Sequence, residues 1–286
     1  MINVHHAGKM GDVIYALPVL RALHRLFGEK IHLVTSGMCW QLVPLLWEQP
    51  YLDEIVVDDT RAYSIPLGGI TTGWDYYKDG EGINLSLQPK HYEPDCPINW
   101  TMAAAHIAGV SEITKDDMLA LPSLVNHRRW HFDVEVAYDG KRQRLTPTIV
   151  VAPEVESLAP TDEKVWMGLI AKFLALGYRV IRIGRQAKPD WKVGPYASRY
   201  HDLGGVTTVA AAARLIAEAQ GFVGAHSFPW HLARHAGTPA ICLQGWREGL
   251  RRCVPIDSSP NLCPWVDPAD WDRAVEWTVQ QVKVHP

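Results

Sequence analysis

Four short stretches of this chain place chemically capable side chains where an apolar strand-like run gives way to a helical pattern. The first is Gly8-Lys9-Met10-Gly11-Asp12. A carboxylate at a helix start either caps the free backbone amides there or accepts a proton from an attacking hydroxyl, and spacing alone leaves both readings open. Gly8 and Gly11 permit close approach of a ligand to the backbone. The positive end of the helix favours the ionised form of Asp12. The second stretch carries Lys164, close behind Val150-Val151-Ala152-Pro153. A lysine there suits a diphosphate as a mobile point charge, or its stem covers Trp166.

The third stretch is Gly224-Ala225-His226-Ser227-Phe228-Pro229-Trp230-His231-Leu232-Ala233. The start of a helix offers unpaired amides and partial positive charge to a phosphate, and Ser227 adds a hydroxyl donor. His226 and His231 either touch phosphate or sugar or serve the structure; His231, Arg234 and His235 as plain surface residues are a further reading. Zinc held by His226 and His231 is disfavoured by their spacing and the missing acidic partner. The fourth stretch, Asp202-Leu203-Gly204-Gly205-Val206-Thr207-Thr208, reads as a glycine turn and a threonine-capped helix unless a ligand reaches it. Neither glycine turn is G-x-G-x-x-G, so the nicotinamide fingerprint is absent.

The elements needed to position these residues follow from hydrophobic periodicity. A strand over 2–4 leads to a helix with Val13, Ala16, Leu17, Leu20, Leu23 and Phe27 at helical spacing, bent at Pro18 and closed by Gly28. Strands over 31–35 and 54–57 flank a helical segment at 38–48. Residues 58–98 are irregular, apart from a strand over 83–87, and a helix covers 99–108. The polar segment 138–147 interrupts the pattern and marks a boundary. Alternation then restarts, with strands over 148–152, 179–183, 221–224 and 239–243. Helices fall at 162–176, 207–219 and 229–236. The last helix opens at Pro268 behind the capping Asp267. Two β/α runs predict an α/β protein of two Rossmann-like domains facing across a cleft, 1–140 and 147–267, with a C-terminal helix over 268–286.

With 286 residues there is room for two ordinary domains. The net charge of −3 gives no sign of a broad basic surface for bare nucleic acid. Arg247, Arg251 and Arg252 form a local basic string that fits a patch or a solvated face. The five cysteines, Cys39, Cys96, Cys242, Cys253 and Cys263, lack C-x-x-C pairing, which argues against a zinc ribbon or a disulfide framework. No signal peptide or membrane-spanning run is evident, so the expected location is cytoplasmic, with peripheral membrane contact open.

The residues from Gly11 to Leu23 are similar to the G-D-V-x-x-x-L-P-x-L-R-A-L opening of the heptosyltransferases, glycosyltransferase family 9. Lys164-x-Trp166 resembles that family's K-x-W, and 202–207 its D-L-x-G-x-T turn. His226 to Ala233, followed by Gly237-Thr238-Pro239, resembles its D-S-G-P-x-H-L-A…G-T-P element. Order and spacing agree across nearly the whole chain. The resemblance implies the GT-B fold and an inverting glycosyl transfer without metal or cofactor. The donor substrate is a nucleotide-diphosphate sugar, and the acceptor is a hydroxyl on glycolipid, DNA or protein. It implies Asp12 as base and Lys164 at the donor phosphate or reaction centre. Gly11, Arg185, Thr207, His226, Ser227, Phe228, Pro229 and His231 are the expected donor contacts. The last helix is expected to pack back on the N-terminal domain. This chain differs in three places: His226 stands for the family's Asp, Phe228 for its Gly, and Pro153-Glu154-Val155-Glu156 for its small phosphate loop. These differences leave the sugar nucleotide and acceptor open. A transferase acting on modified DNA or protein, a non-catalytic sugar-nucleotide binder, and a sugar-nucleotide epimerase are the alternatives.

Overall fold

The computed structural model describes residues 1–58, 82–86, 99–126, 137–138, 141–142, 146–155, 160–188, 191, 193–244 and 265–284. The chain divides into two compact units, Met1–Ser123 and Leu124–Trp246 with Ser259–Pro286. Glu156 and the Arg247, Arg251 and Arg252 string lie outside the described residues.

In the first unit, β1 (Ile2–His6), β2 (Ile31–Ser36), β3 (Leu52–Asp58) and β4 (Ile83–Asn84) form a parallel sheet in the order β3-β2-β1-β4. The order reverses between β1 and β4, so the loops leaving those two strands open a crevice at their carboxyl ends. Helix α1 (Met10–Phe27) runs unbroken through Pro18, although the proline ring removes one helical amide. Beside that interruption, the Thr101 hydroxyl of α3 (Trp100–Ile107) donates to the Tyr15 carbonyl at 3.1 Å. Tyr15 and Trp100 add an edge-to-face contact at 5.2 Å. Gly28 ends α1 in the left-handed conformation, with φ 69°, and its amide bonds the His24 carbonyl. The helix expected over 38–48 is instead a 3₁₀ turn, Gly37–Leu42, followed by the short α2 (Val43–Leu46). Pro44 has no amide to donate, so it fits only the first turn of a new helix.

The second unit includes a short antiparallel hairpin, β5 (Ala137–Tyr138) and β6 (Lys141–Arg142). Its parallel sheet comprises β7 (Thr148–Ala152), β8 (Arg179–Arg182), β9 (Tyr200–Asp202), β10 (Gly221–Gly224), β11 (Ala240–Leu243) and β12 (Trp265–Val266). The order is β12-β11-β10-β7-β8-β9. Counted from β7, this is the doubly wound Rossmann order, with its reversal between β7 and β10. β10 and β11 are buried along their whole length, as a sheet covered on both faces requires.

Helix α5 (Glu163–Ala175) turns Trp166, Leu169, Ile170, Phe173 and Leu174 into the core, the set its periodicity predicted. α6 (Val209–Glu218) and α7 (Phe228–His235) complete the crossovers. The last helix, α8 (Trp271–Val284), follows a 3₁₀ turn whose Ala269 amide is capped by the Asp267 carboxylate at 2.9 Å. α8 packs on α5, β10 and β11 of its own unit. Two glycines explain the fit. A Cβ on Gly168 would lie 3.2 Å from the Trp271 ring, and one on Gly221 would lie 2.7 Å from the Thr278 methyl. No described helix is long and apolar enough to cross a membrane.

Candidate active site

At the reversal point of the first sheet, the loop from Ala7 to Lys9 is tied down by side chains from three strand ends. Ser86, just past β4, accepts the Ala7 amide at 2.8 Å. Ser36, the last residue of β2, donates to the Gly8 carbonyl at 3.0 Å, and Cys39 donates to the same oxygen at 3.4 Å. His6, the last residue of β1, accepts the Gly8 amide on Nδ1 at 3.1 Å. Asp12 then accepts the Lys9 amide on Oδ2 at 2.9 Å. Sequence reasoning had Asp12 as a possible N-cap. The structure makes Lys9 the N-cap and sets Asp12 in the first turn, reaching back to that residue's amide.

Only one oxygen of Asp12 is occupied: Oδ1 accepts no hydrogen bond among the described residues. Burial pushes the Asp12 carboxyl up to about 6, against the lowering effects of the Lys9 amide and charge. The favourable helix end is thus outweighed by lost hydration, although a carboxyl at about 6 is still mainly ionised at neutral pH. The same burial drives His6 down to about 4, so its ring is neutral and Nδ1 keeps its lone pair. Cys39 rises to about 12, through burial and with the Asp12 charge adding to it. Gly11 has open space where a side chain would stand, which leaves its backbone approachable. Gly8 is the reverse case. A Cβ there would lie 2.6 Å from His6 Cε1 and 2.7 Å from Asp12 Cβ.

In the second unit, a buried arginine organises the carboxyl edge of the sheet. Arg182, the last residue of β8, is fully buried and pairs with Glu154 and Asp202, each at 2.7 Å. It also donates to the Gln186 carbonyl at 2.8 Å and lies 5.1 Å over the Trp191 ring. Glu154 accepts the Arg185 amide at 2.5 Å. Asp202 accepts the amides of Lys188 and Gly204, at 2.6 and 2.9 Å. Burial alone would raise the Asp202 carboxyl, but those two amides and Arg182 hold it below the usual range. The acid at 154 is thus turned onto an arginine and neutralised rather than aimed at a bound anion.

Lys164 stands exposed in the first turn of α5, its amide capped by Asp162 at 2.8 Å, and makes no ion pair among the described residues. Arg185 and Thr207 lie in the loops leaving β8 and β9, also at the carboxyl edge. Thr208, not Thr207, caps α6, through a bond to the Ala211 amide at 3.2 Å. Ser227 is the N-cap of α7, yet its hydroxyl donates to the Ala225 carbonyl at 3.3 Å and leaves the helix amides without a side-chain cap. Phe228 and Pro229 form the part-exposed first turn. His226 packs against Trp230 and Trp265, and its Nε2 is buried without a hydrogen-bond partner among the described residues. His231 and His235 are not surface residues; both are buried, His231 edge-on to Trp230. Burial lowers His226 to about 4 and holds His231 well below the ordinary imidazole value, so both rings are neutral. No three His, Cys, Asp or Glu side chains among the described residues are grouped so as to hold a metal ion.

His6, Ser36, Cys39 and Ser86 were missed from the sequence, and so was Arg182 with its partners. The one available signal was Arg182 itself, a charge inside the apolar run Val180-Ile181-Arg182-Ile183. Its partners lie 28 and 20 residues away, and only the strand order brings them to it.

Solved structures resemble this chain along almost its whole length. The heptosyltransferase WaaC of E. coli, solved with ADP, superposes with a TM-score of 0.62 at 11% identity, over 97% of this chain and 100% of that one. The fold is that of the heptosyltransferases. A family 9 glycosyl transferase from Veillonella parvula gives a TM-score of 0.59 at 13% identity, covering 98% and 96% of the two chains. A putative UDP-N-acetylglucosamine 2-epimerase from Listeria monocytogenes gives 0.52 at 10% identity over 98% and 89%, so the GT-B fold by itself does not fix the reaction. No family model and no curated protein sequence matches the chain.

Proposed function

We propose that this protein is an inverting glycosyltransferase. It takes a sugar from a nucleotide-diphosphate donor and places it on a hydroxyl acceptor, working in the cytoplasm. The observation that supports this reading best is Asp12. It stands at the reversal point of the first sheet with one oxygen tethered, the other free, and an affinity for protons raised by burial. A base of this kind accepts the acceptor's proton as its oxygen attacks the anomeric carbon. On the second unit, Lys164 and the uncapped start of α7 supply positive charge for the departing diphosphate, so this reading gives no role to a metal. The alternative of a binding module without turnover gives no role to the oxygen of Asp12 that the Lys9 amide leaves unoccupied.

The test begins with a thermal-shift screen against nucleotide-diphosphate sugars, which raise the melting temperature if they bind the native state. The donor so found is incubated with hydroxyl acceptors, from glycolipid to modified DNA and protein, and release of the nucleoside diphosphate is followed. Asp12→Asn is expected to bind the donor as the wild type does and to lose transfer by ~10²–10⁴-fold. Undiminished transfer by that variant removes Asp12 from the mechanism. Conversion of the donor to its epimer, with no acceptor present, replaces the transferase reading altogether.

A further inference from the structure

We infer that His6 is a positioning residue for Asp12, acting through the Gly8 peptide. This rests on the transferase reading only in giving Asp12 its role; the geometry stands apart from it. Two consecutive backbone amides in the loop are claimed by two side chains: Gly8 N–H by His6 Nδ1 at 3.1 Å, and Lys9 N–H by Asp12 Oδ2 at 2.9 Å. The point above the Gly8 Cα where a side chain would sit is already enclosed, 2.6 Å from His6 Cε1 and 3.0 Å from Asp12 Oδ2. The imidazole and the carboxylate therefore close on one glycine from two sides. Neither of the two peptides that meet at Gly8 can rotate without breaking a bond: Ala7–Gly8 is held at its N–H by His6, and Gly8–Lys9 at its N–H by Asp12. The opposite edge of the Gly8–Lys9 peptide is fixed by Ser36 and Cys39 on the Gly8 carbonyl.

His6 fills this role only when neutral, because a protonated ring donates on both nitrogens and has no lone pair for the Gly8 amide. Its burial, at 2% exposure, keeps it in that form. If the His6 acceptor is removed, the Gly8 amide loses its partner and the loop is free to turn. The Lys9 amide then leaves Oδ2, and water reaches the carboxylate. Around Asp12 the titratable groups among the described residues are Lys9 on its own segment, Cys39 beyond β2, and His6 on β1. Cys39 stays protonated and His6 stays neutral over the working range, so a change in Asp12 titration reports on the loop.

The experiment is a side-chain carboxyl NMR titration of the full-length protein, with Asp12→Asn used to assign the resonance. In the wild type, Asp12 is expected to titrate at about 6. His6→Asn keeps an acceptor close to the position of Nδ1 and is expected to leave that midpoint within a few tenths of a pH unit. His6→Leu keeps the bulk but not the acceptor, and is expected to lower the midpoint by about one unit toward the solvated value. The same midpoint in the His6→Leu and wild-type proteins overturns the inference, as does a fall in His6→Asn as large as in His6→Leu. Circular dichroism of both variants separates these outcomes from unfolding, and the Asn variant supplies the reading if the Leu variant does not fold. No substrate enters the titration. A wild type that binds no nucleotide sugar would sink the transferase reading and leave this result standing.

Discussion

Arg182→Met is the sharpest test of how the second unit holds its carboxyl-edge loops. The arginine is fully buried, and its partners Glu154 and Asp202 retain side-chain exposures of 30% and 16%. Removing one member of a buried pair costs ~3–5 kcal/mol, because the charge left behind is uncompensated. Here two carboxylates are left behind, but both can recover some hydration, which argues for the lower end, ~3 kcal/mol. For a unit of this size that is a fall of roughly 6–12 °C in Tm, read from the tryptophan fluorescence of the second unit. The pH dependence carries more information than the magnitude. In the wild type, the depressed Asp202 contributes stability above its unfolded pKa, lost only as pH falls through its lower folded value. The variant keeps the Lys188 and Gly204 amides on Asp202 but loses the Arg182 share of that lowering. The gap between the two proteins should thus be wide at pH 8 and narrow toward pH 3. A loss under ~1 kcal/mol, or an equal gap at both pH values, refutes the account of Arg182 as the neutralising partner of Glu154.

Asp12→Asn should stabilise the protein above pH 6 by about 1–2 kcal/mol while removing transfer. The folded pKa of Asp12 lies above its unfolded value, so ionisation opposes folding between the two, and paired urea melts at pH 5 and pH 8 check the difference. Wild-type transfer should rise with pH through about 6 as the base deprotonates, and a profile flat from pH 5 to 8 would count against it. Gly8→Ala should cost ~1–3 kcal/mol in thermal melts, since its methyl overlaps both His6 and Asp12. Lys164→Met should leave the ligand-free melting temperature within a degree, because the side chain is exposed, and weaken nucleotide-sugar binding in calorimetric titration.

The two Rossmann-like runs were legible because parallel crossover units write their periodicity plainly. The buried face of α5 was readable residue by residue. The Asp267–Pro268 start of the last helix was equally plain, being local chemistry between adjacent residues. What could not be read was anything set by strand order. β1 and β4 are neighbours in the sheet although some 80 residues separate them, so the bond from the Ala7 amide to Ser86 has no local signature. The seat of α8 on its own unit was unreadable for a related reason. Its apolar face is visible in the sequence, but Gly168 and Gly221, which admit Trp271 and Thr278, lie on distant elements. The rise in the Asp12 carboxyl was not readable because a helix dipole is a sequence-level argument, whereas desolvation depends on what the loop encloses.

The exchange of the family's small phosphate loop for an acidic one now has a physical reading. Glu154 would repel a diphosphate if it faced solvent unpaired. Instead both its oxygens are occupied, one by Arg182 and the other by the Arg185 amide. Gly184 has no side chain, and a Cβ there would lie 2.7 Å from that carboxylate, so the glycine is what lets the acid settle into place. The result is a carboxyl edge whose buried charges are balanced internally by Arg182 between two acids. The surplus positive charge available to a ligand then falls to Lys164, exposed and without an ion pair among the described residues, and to the α7 amides that Ser227 leaves uncapped. If that division is right, Glu154→Gln should unsettle the 183–188 loop and lower stability, yet do little to tighten anion binding, since the acid was never facing the anion. A large gain in nucleotide-sugar affinity in Glu154→Gln would show that the carboxylate does face the ligand.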